Sequence, residues 1–177
     1  LSAYPFDYAN VFGTKNLPRT TLIQKSILDA EALESAMQGV DAVIHAAAYA
    51  DVGACVRNHD IDFEINVRGT DMVLESALKH SVKKFVFVSS ASVYGENTTG
   101  IFTEGDPTIP ISTYGNSKMW GERQTVLFND LYGMPATAVR FFSVYGSPQV
   151  PKEGSHSWCV AIFAMLALKK KPITIFG

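Results

Sequence analysis

The sequence predicts an α/β fold built on a parallel sheet, and three observations carry that prediction. Apolar runs at 41–48 (DAVIHAAA), 83–90 (KKFVFVSS) and 136–142 (ATAVRFF) have the length and continuity of strands buried on both faces. Segments with helical spacing of apolar residues stand between them. Strands that alternate with helices along one chain imply crossover connections, and crossovers imply parallel pairing.

The elements follow in order. Residues 1–20 are rich in turn formers and show no period. TLIQKSI (21–27) reads as a short strand. DAEALESAMQ (29–38) reads as a helix, with Asp29 as N-cap and Gly39 as the stop. A long helix is predicted over about 60–80, where Ile65, Met72, Val73 and Ala77 recur near helical spacing. Phe85 and Phe87 alternate along the strand at 83–90 and are predicted core. Residues 95–112 form a loop rich in Gly, Thr and Pro. Residues 112–133 read as a helix ended by Gly133 and Pro135, followed by the strand at 136–142 and a loop at 143–155. A helix at 158–171 carries a basic last turn that suits its dipole, and PITIFG (172–177) reads as a closing strand.

Composition narrows the function classes. A chain of 177 residues suggests one domain, and its 47% apolar content is ordinary for a globular protein. A net charge of −2 gives no reason to expect nucleic acid or an anionic membrane as partner. Cys55 and Cys159 form no CxxC, imply neither a disulfide framework nor zinc, and fit a reducing cytoplasm. No apolar run approaches the roughly 18 residues of a membrane span. The N-terminus lacks the basic and apolar regions of a signal peptide, and the chain does not begin with Met. His59, His80 and His156 are too scattered for a metal site, and His45 reads as a core histidine.

In open α/β sheets, ligands bind beyond the carboxyl ends of the strands. Ala46 to Ala48, Ser89 to Ser92 and Phe142 to Tyr145 all fall there, so three strands direct small or polar residues at one crevice. Tyr114 and Lys118 stand four apart in STYGNSKMWGER and share one helical face. A free tyrosine, with a pKa of about 10, is a poor base at neutral pH. An ammonium beside it favours the phenolate. Ser90, at the end of a strand, could hold a substrate oxygen. These groups suit proton transfer at a sugar or alcohol hydroxyl while hydride leaves its carbon.

The segments GVDAVIHAAA, NVRGTDMVLESA, KKFVFVSSASVYG, PISTYGNSK and VRFFSVYG, in this order and spacing, resemble an extended short-chain dehydrogenase/reductase of the NAD-dependent epimerase/dehydratase group. The resemblance covers about residues 21–177. It implies a Rossmann-like, doubly wound parallel sheet that lacks the first βαβ unit, since no GxxGxxG precedes the first helix. Residues 1–177 would form a partial NAD(P)-binding domain, with most of the C-terminal substrate domain absent. The strand at 21–27 would then lack the neighbours that join it to 41–48. A polypeptide of this length is expected to bind NAD poorly and turn over little.

The resemblance also implies roles. Tyr114 is the base, Lys118 lowers its pKa and bonds the nicotinamide ribose, and Ser90 holds the substrate oxygen. Ala46, Ala47 and Ala48 let the dinucleotide approach, with Ser89 at the neighbouring strand end. Asn66 supports the cofactor side. Ser26 and Ile27 match the pair beside the adenine, with Ser26 where the family usually has Asp. Phe141, Phe142 and Val144 wall the nicotinamide. The substrate side falls to Ser90, Ala91, Ser92 and Ser143.

Related 4,6-dehydratases carry an Asp-Glu pair where this chain has Ala91 and Ser92, and neither of these transfers protons as a carboxyl does. A decarboxylase would carry Glu at Ser92. Ala followed by Ser resembles the 4-epimerase pattern, so the expected reaction is epimerisation of a nucleotide-sugar by transient oxidation at C4. Ser143 and Ser157 stand where such epimerases often have Asn. A sugar 4-ketoreductase with the same triad, and a non-catalytic dinucleotide-binding relative, are the alternatives. The cofactor implied is NAD, with NADP not excluded, and the intact protein is expected to be a homodimer formed through the helices at 60–80 and 112–133. Trp158 fits a pocket, a core or an interface equally well.

Overall fold

The computed structural model describes residues 21–96, 100–146, 149 and 159–175. They fall into two compact units, one covering 23–142 and another that includes the helix after residue 158. The readings for residues 1–20, His156, Ser157 and Trp158 lie outside the described residues.

The first unit opens with a turn. Ser26 Oγ accepts the Leu28 N–H at 3.1 Å, and the Ser26 carbonyl accepts the Asp29 N–H at 3.0 Å. The strand expected at 21–27 is not formed, because no described residue offers that segment a ladder for its backbone donors and acceptors. Helix α1 (Ala30–Met37) starts as expected, with the Asp29 carboxylate accepting the Ala32 N–H at 3.1 Å. Gly39 leaves it at φ 70°, a conformation other residues rarely adopt.

The three central strands are β1 (Ala42–His45), β2 (Lys84–Ser90) and β3 (Ala136–Phe141), all parallel, in the order β1-β2-β3. Val43 pairs with Phe85 and His45 with Phe87, while Phe85 pairs with Ala136 and Phe87 with Ala138. These residues share one face of the sheet. Behind it lies the core of Met37, Val73, Leu74, Ala77, Val82, Phe85, Phe87, Phe128 and Met134. Burial on both faces, expected from the apolar runs, is not observed. Ile44, on the opposite face, is 72% exposed, and Val86 and Val88 are half-buried, because the helices of this unit pack on the other side.

Between β1 and β2 lie α2 (Val52–Arg57) and one continuous helical run. Helix α2 was not anticipated; its cap is Asp51, which accepts the Ala54 N–H at 2.8 Å. The run comprises α3 (His59–Asp62), a π-helical segment (Phe63–Arg68) and α4 (Gly69–Lys79), so the long helix predicted over 60–80 is present with a widened middle. Gly69 gives Ile27 room: a Cβ there would lie 2.6 Å from Ile27 Cδ1.

After β2 comes a single 3₁₀ turn (Ala91–Val93) and then the 95–112 loop. Helix α5 (Thr113–Tyr132) begins where Ser112 Oγ accepts the Gly115 N–H at 3.0 Å. It ends as predicted at Gly133, whose φ of 66° turns the chain toward Pro135.

In the second unit, α6 spans Cys159–Leu168 and stops near Lys170, which has φ 52°. No strand forms over the described residues 172–175, where Ile173 and Ile175 are exposed and no ladder partner is present. No described helix is long and apolar enough to cross a membrane.

Candidate active site

The site forms where the carboxyl end of β2 meets the first two turns of α5. Gly115 makes that approach possible: a Cβ there would lie 2.5 Å from the Ser92 carbonyl oxygen and 2.9 Å from Pro110 Cβ. The glycine that follows Tyr114 therefore lets the helix seat the phenol beside Ser90–Ser92.

Ser90, Tyr114 and Lys118 come together as the sequence predicts. The Ser90 side chain stands beside the Tyr114 phenol and favours its ionised form. Ser90 Oγ also accepts the Ser92 N–H at 3.1 Å and lies 3.2 Å from Ser92 Oγ. Lys118 Nζ donates to the Val88 carbonyl at 2.8 Å. It sits 4.8 Å from the centroid of the Phe87 ring and 5.9 Å from that of Tyr114, close enough to both faces for cation–π attraction.

Burial governs the protonation of the pair. It pushes the Tyr114 phenol above its usual 10, and the neighbouring Ser90 hydroxyl draws it back only in part. The expected lowering by Lys118 is therefore not what sets this phenol. Burial also pushes the Lys118 ammonium down to about 8, while the negative charge of Asp62 pulls the other way. Both groups are costly to ionise where they stand, and each depends on its immediate partners.

Asn66 is buried and uses all of its amide. Its Oδ1 accepts the Tyr49 N–H at 2.8 Å, and its Nδ2 donates to the Tyr49 carbonyl at 3.0 Å and to Asp62 Oδ1 at 2.5 Å. The side chain thus clamps the backbone just after Ala46, Ala47 and Ala48, of which Ala46 and Ala47 are exposed beyond β1. His45, at the end of β1, lies 3.0 Å through Nε2 from Thr70 Oγ1. Thr70 spends its own proton on the Asn66 carbonyl at 2.7 Å, so His45 donates from Nε2. His45 is the satisfied core histidine that the sequence predicts.

Ser89 is buried, and among the described residues its Oγ is one of two buried side-chain oxygens without a hydrogen-bond partner. Phe141 pairs with Ser90 in the sheet, and the Phe142 ring stacks in a cluster with Tyr94 and Phe102, at 6.2 and 5.6 Å. Ala91 and Ser92 form the 3₁₀ turn under the phenol and bring no carboxyl there. Ser26 and Ile27 do not join this cluster: Ser26 is spent on the turn into α1, and Ile27 packs against Gly69. Ser143 and Val144 belong to the second unit.

Two residues that the sequence reading passed over belong to the network. Ser117 Oγ lies 3.0 Å from Asp62 Oδ1 and 2.9 Å from the Tyr114 carbonyl, and so shares its single proton between them. Asp62 is buried, 4% exposed, and receives both Ser117 and Asn66. The available signal was spacing: Asp62, Asn66 and Thr70 recur every four residues along one helix.

Comparison with known proteins identifies the family and the fold. The model of the NAD dependent epimerase/dehydratase family matches residues 7–177. An uncharacterized UDP-glucose epimerase of Bacillus subtilis (strain 168) is 36% identical over 160 residues, which cover 90% of this chain and 48% of that protein. The crystal structure of the Thermus thermophilus UDP-glucose 4-epimerase in complex with NAD superposes with a TM-score of 0.80 at 34% identity, covering 85% of this chain and 49% of that one. A double mutant of the dTDP-glucose 4,6-dehydratase of Streptomyces venezuelae, with NAD bound, gives a TM-score of 0.85 at 29% identity over 96% of this chain and 51% of that one. The chain spans about half the length of the curated relatives it matches. With its parallel sheet and its serine, tyrosine and lysine gathered at one strand end, the chain belongs to the NAD dependent epimerase/dehydratase family.

Proposed function

We propose that the protein carrying this chain is an NAD-dependent nucleotide-sugar epimerase that inverts C4 by transient oxidation, with Tyr114 as the base. One observation carries the reading. A phenol, a serine hydroxyl and an ammonium meet at the end of β2, and positions 91 and 92 offer no carboxyl for eliminating water.

The residues present fit a dinucleotide. Ala46 and Ala47 leave the end of β1 open to a flat ligand, and Asn66 fixes the backbone behind them. The unpartnered Ser89 Oγ and the Lys118 ammonium are polar groups at the adjoining strand. Phe141 and Phe142 are proposed as apolar wall, and Ser26 and Ile27 as the adenine side. Bound NAD supplies the hydride acceptor.

Tyr114, as phenolate, takes the proton from the sugar 4-hydroxyl. Ser90 Oγ hydrogen-bonds the same oxygen and favours its alkoxide character as the proton leaves. Lys118 holds positive charge beside the phenolate while that proton is transferred. When the 4-keto sugar turns over in the pocket, Tyr114 returns the proton to the oxygen on the way back. Ala91 and Ser92 are proposed to line the sugar side. Exposed Ile61, Val126, Leu127 and Leu131 on α3 and α5 support a homodimer through these helices. Cys55 and Cys159 are free thiols, in keeping with a reducing cytoplasm.

The test supplies NAD and UDP-glucose and follows the sugar by proton NMR. The wild-type protein is expected to form the C4 epimer, and Tyr114→Phe to form none while still binding NAD. Full activity in Tyr114→Phe, or a 4-keto-6-deoxy product from loss of water, would sink the proposal.

A further inference from the structure

We propose that Asp62 is a positioning residue for the Tyr114–Lys118 pair: its buried carboxylate ties α3 to the first turns of α5 and supplies the charge that balances the Lys118 ammonium. The inference rests on the reading of Tyr114 as base and adds a residue to it.

The geometry is specific. Asp62 Oδ1 receives Ser117 Oγ at 3.0 Å and Asn66 Nδ2 at 2.5 Å. Ser117 immediately precedes Lys118, and its hydroxyl is shared with the Tyr114 carbonyl one turn back. Asp62 therefore touches the helical turn that separates base from ammonium, and through Asn66 it reaches the backbone after Ala48. A carboxylate taken from water to this depth is destabilising unless hydrogen bonds and a counter-charge compensate it. Among the described residues no Arg or Lys forms an ion pair with it within 4.0 Å.

The titratable groups around Lys118 identify the counter-charge. His45, on β1, is neutral at neutral pH because burial and the Lys118 charge push it down to about 4. Cys55, on α2, is held as the thiol because burial raises it to about 12. Glu122, one turn further along α5, gives both oxygens to Arg140 of β3. Asp62 remains as the group that can balance the ammonium, and its charge favours protonated Lys118. The same charge also favours the neutral Tyr114 phenol. One carboxylate thus acts on base and ammonium in the same direction, holding protons on both.

This leads to a readout that a purely structural residue would not move. In Asp62→Asn the amide oxygen can still accept from Ser117 and Asn66, and the charge is gone. Both Lys118 and Tyr114 should release their protons at lower pH, so both limbs of the kcat/KM profile should slide down together. The shift should be about one pH unit, a tenfold change in each charged-to-neutral ratio. Tyr114 is titrated separately, without substrate, as the tyrosinate absorbance of each protein minus that of its Tyr114→Phe counterpart, and this midpoint should move down as well. Asp62→Glu should bring the limbs back toward their wild-type positions.

A fall in rate with both limbs and the tyrosinate midpoint unmoved would overturn the inference, as would an unchanged enzyme. Asp62→Ser, which keeps a hydroxyl for the same partners, is the second neutral variant. Failure of both neutral variants to fold would also count against the proposal, since it assigns Asp62 a charge for chemistry and not an essential place in the core. If Tyr114→Phe keeps full activity, the base assignment fails instead, and the two failures are distinguishable.

Discussion

Gly121 and Phe87 are in direct contact: a Cβ on Gly121 would overlap the phenyl ring, meeting Cε1 at 2.8 Å. The other role of that ring is to carry the Lys118 ammonium, 4.8 Å from its centroid. A helix glycine and a core phenylalanine together decide where the lysine stands. Gly121→Ala is therefore expected to cost about 1–3 kcal/mol, because a tightly packed core accepts added volume poorly. It should also lower kcat more than a substitution of equal cost elsewhere in α5. Urea denaturation and steady-state kinetics check the two effects separately.

Ser90 draws the Tyr114 phenol back toward ionisation. Ser90→Ala removes that influence and the donor to the substrate oxygen together. The expected loss is about 10²–10³-fold in kcat, the usual scale for one donor to a developing oxyanion. NAD affinity, read by titration calorimetry in the same variant, should change little. A loss in binding as large as the loss in rate would argue that Ser90 shapes the pocket and takes no part in the chemistry.

His45 predicts a pH dependence of stability. Buried among Phe85, Phe87 and Thr70, it is depressed from 6.5 to about 4. Between those values the unfolded chain binds the proton and the folded chain does not. Its contribution is therefore present in full above about 6.5 and is lost as the pH falls toward 4, on the order of 3 kcal/mol in total. Denaturation midpoints measured down this range should fall, and His45→Gln, which keeps a donor for Thr70, should flatten part of the slope. An identical slope in the variant would remove His45 from the account.

Arg140 and Glu122 form a two-pronged pair, Nε to Oε1 at 2.9 Å and Nη2 to Oε2 at 2.8 Å. The same guanidinium lies 4.7 Å from the Tyr94 ring centroid and donates through Nη1 to the Glu104 carbonyl at 3.2 Å. Arg140→Met leaves a largely buried carboxylate without its partner, which costs about 3 kcal/mol. It also releases the loop that contains Glu104. Limited proteolysis should then cut between residues 100 and 112 faster than in the wild type, at a denaturant concentration where both remain folded.

Much of the site is legible in the sequence because its chemistry sits at element boundaries. Ser90 ends a strand, Tyr114 and Lys118 open a helix, and Asn66 lies in a recognisable segment. The rest depends on long-range contact. Asp62 and Ser117 are 55 residues apart, and nothing local announces that a serine beside Lys118 will meet an aspartate from another helix. The runs at 41–48 and 136–142 look evenly apolar, yet Ile44 faces outward where no helix of the unit covers it, because composition does not say which face is packed. The segment 21–27 has strand composition and no ladder, and pairing, which no single segment contains, is what makes a strand.

The π-helical segment Phe63–Arg68 places a limit on how this sequence can vary. It lies between Thr70, which bonds His45, and Asp62, which bonds Ser117. Wide turns of this kind hold one more residue per turn than an α-helix. Deleting a single residue would let the run relax into α geometry with little net rotation, because the wide turn is what absorbs the extra residue. Adding one more, with that slack already spent, would rotate everything upstream by about 100° relative to α4. Thr70 would keep its place, and Asp62 would swing away from α5. Residue count in this stretch thus works as an angular gauge: a lengthened helix can still fold against the sheet while its first turn is dialled off the active site.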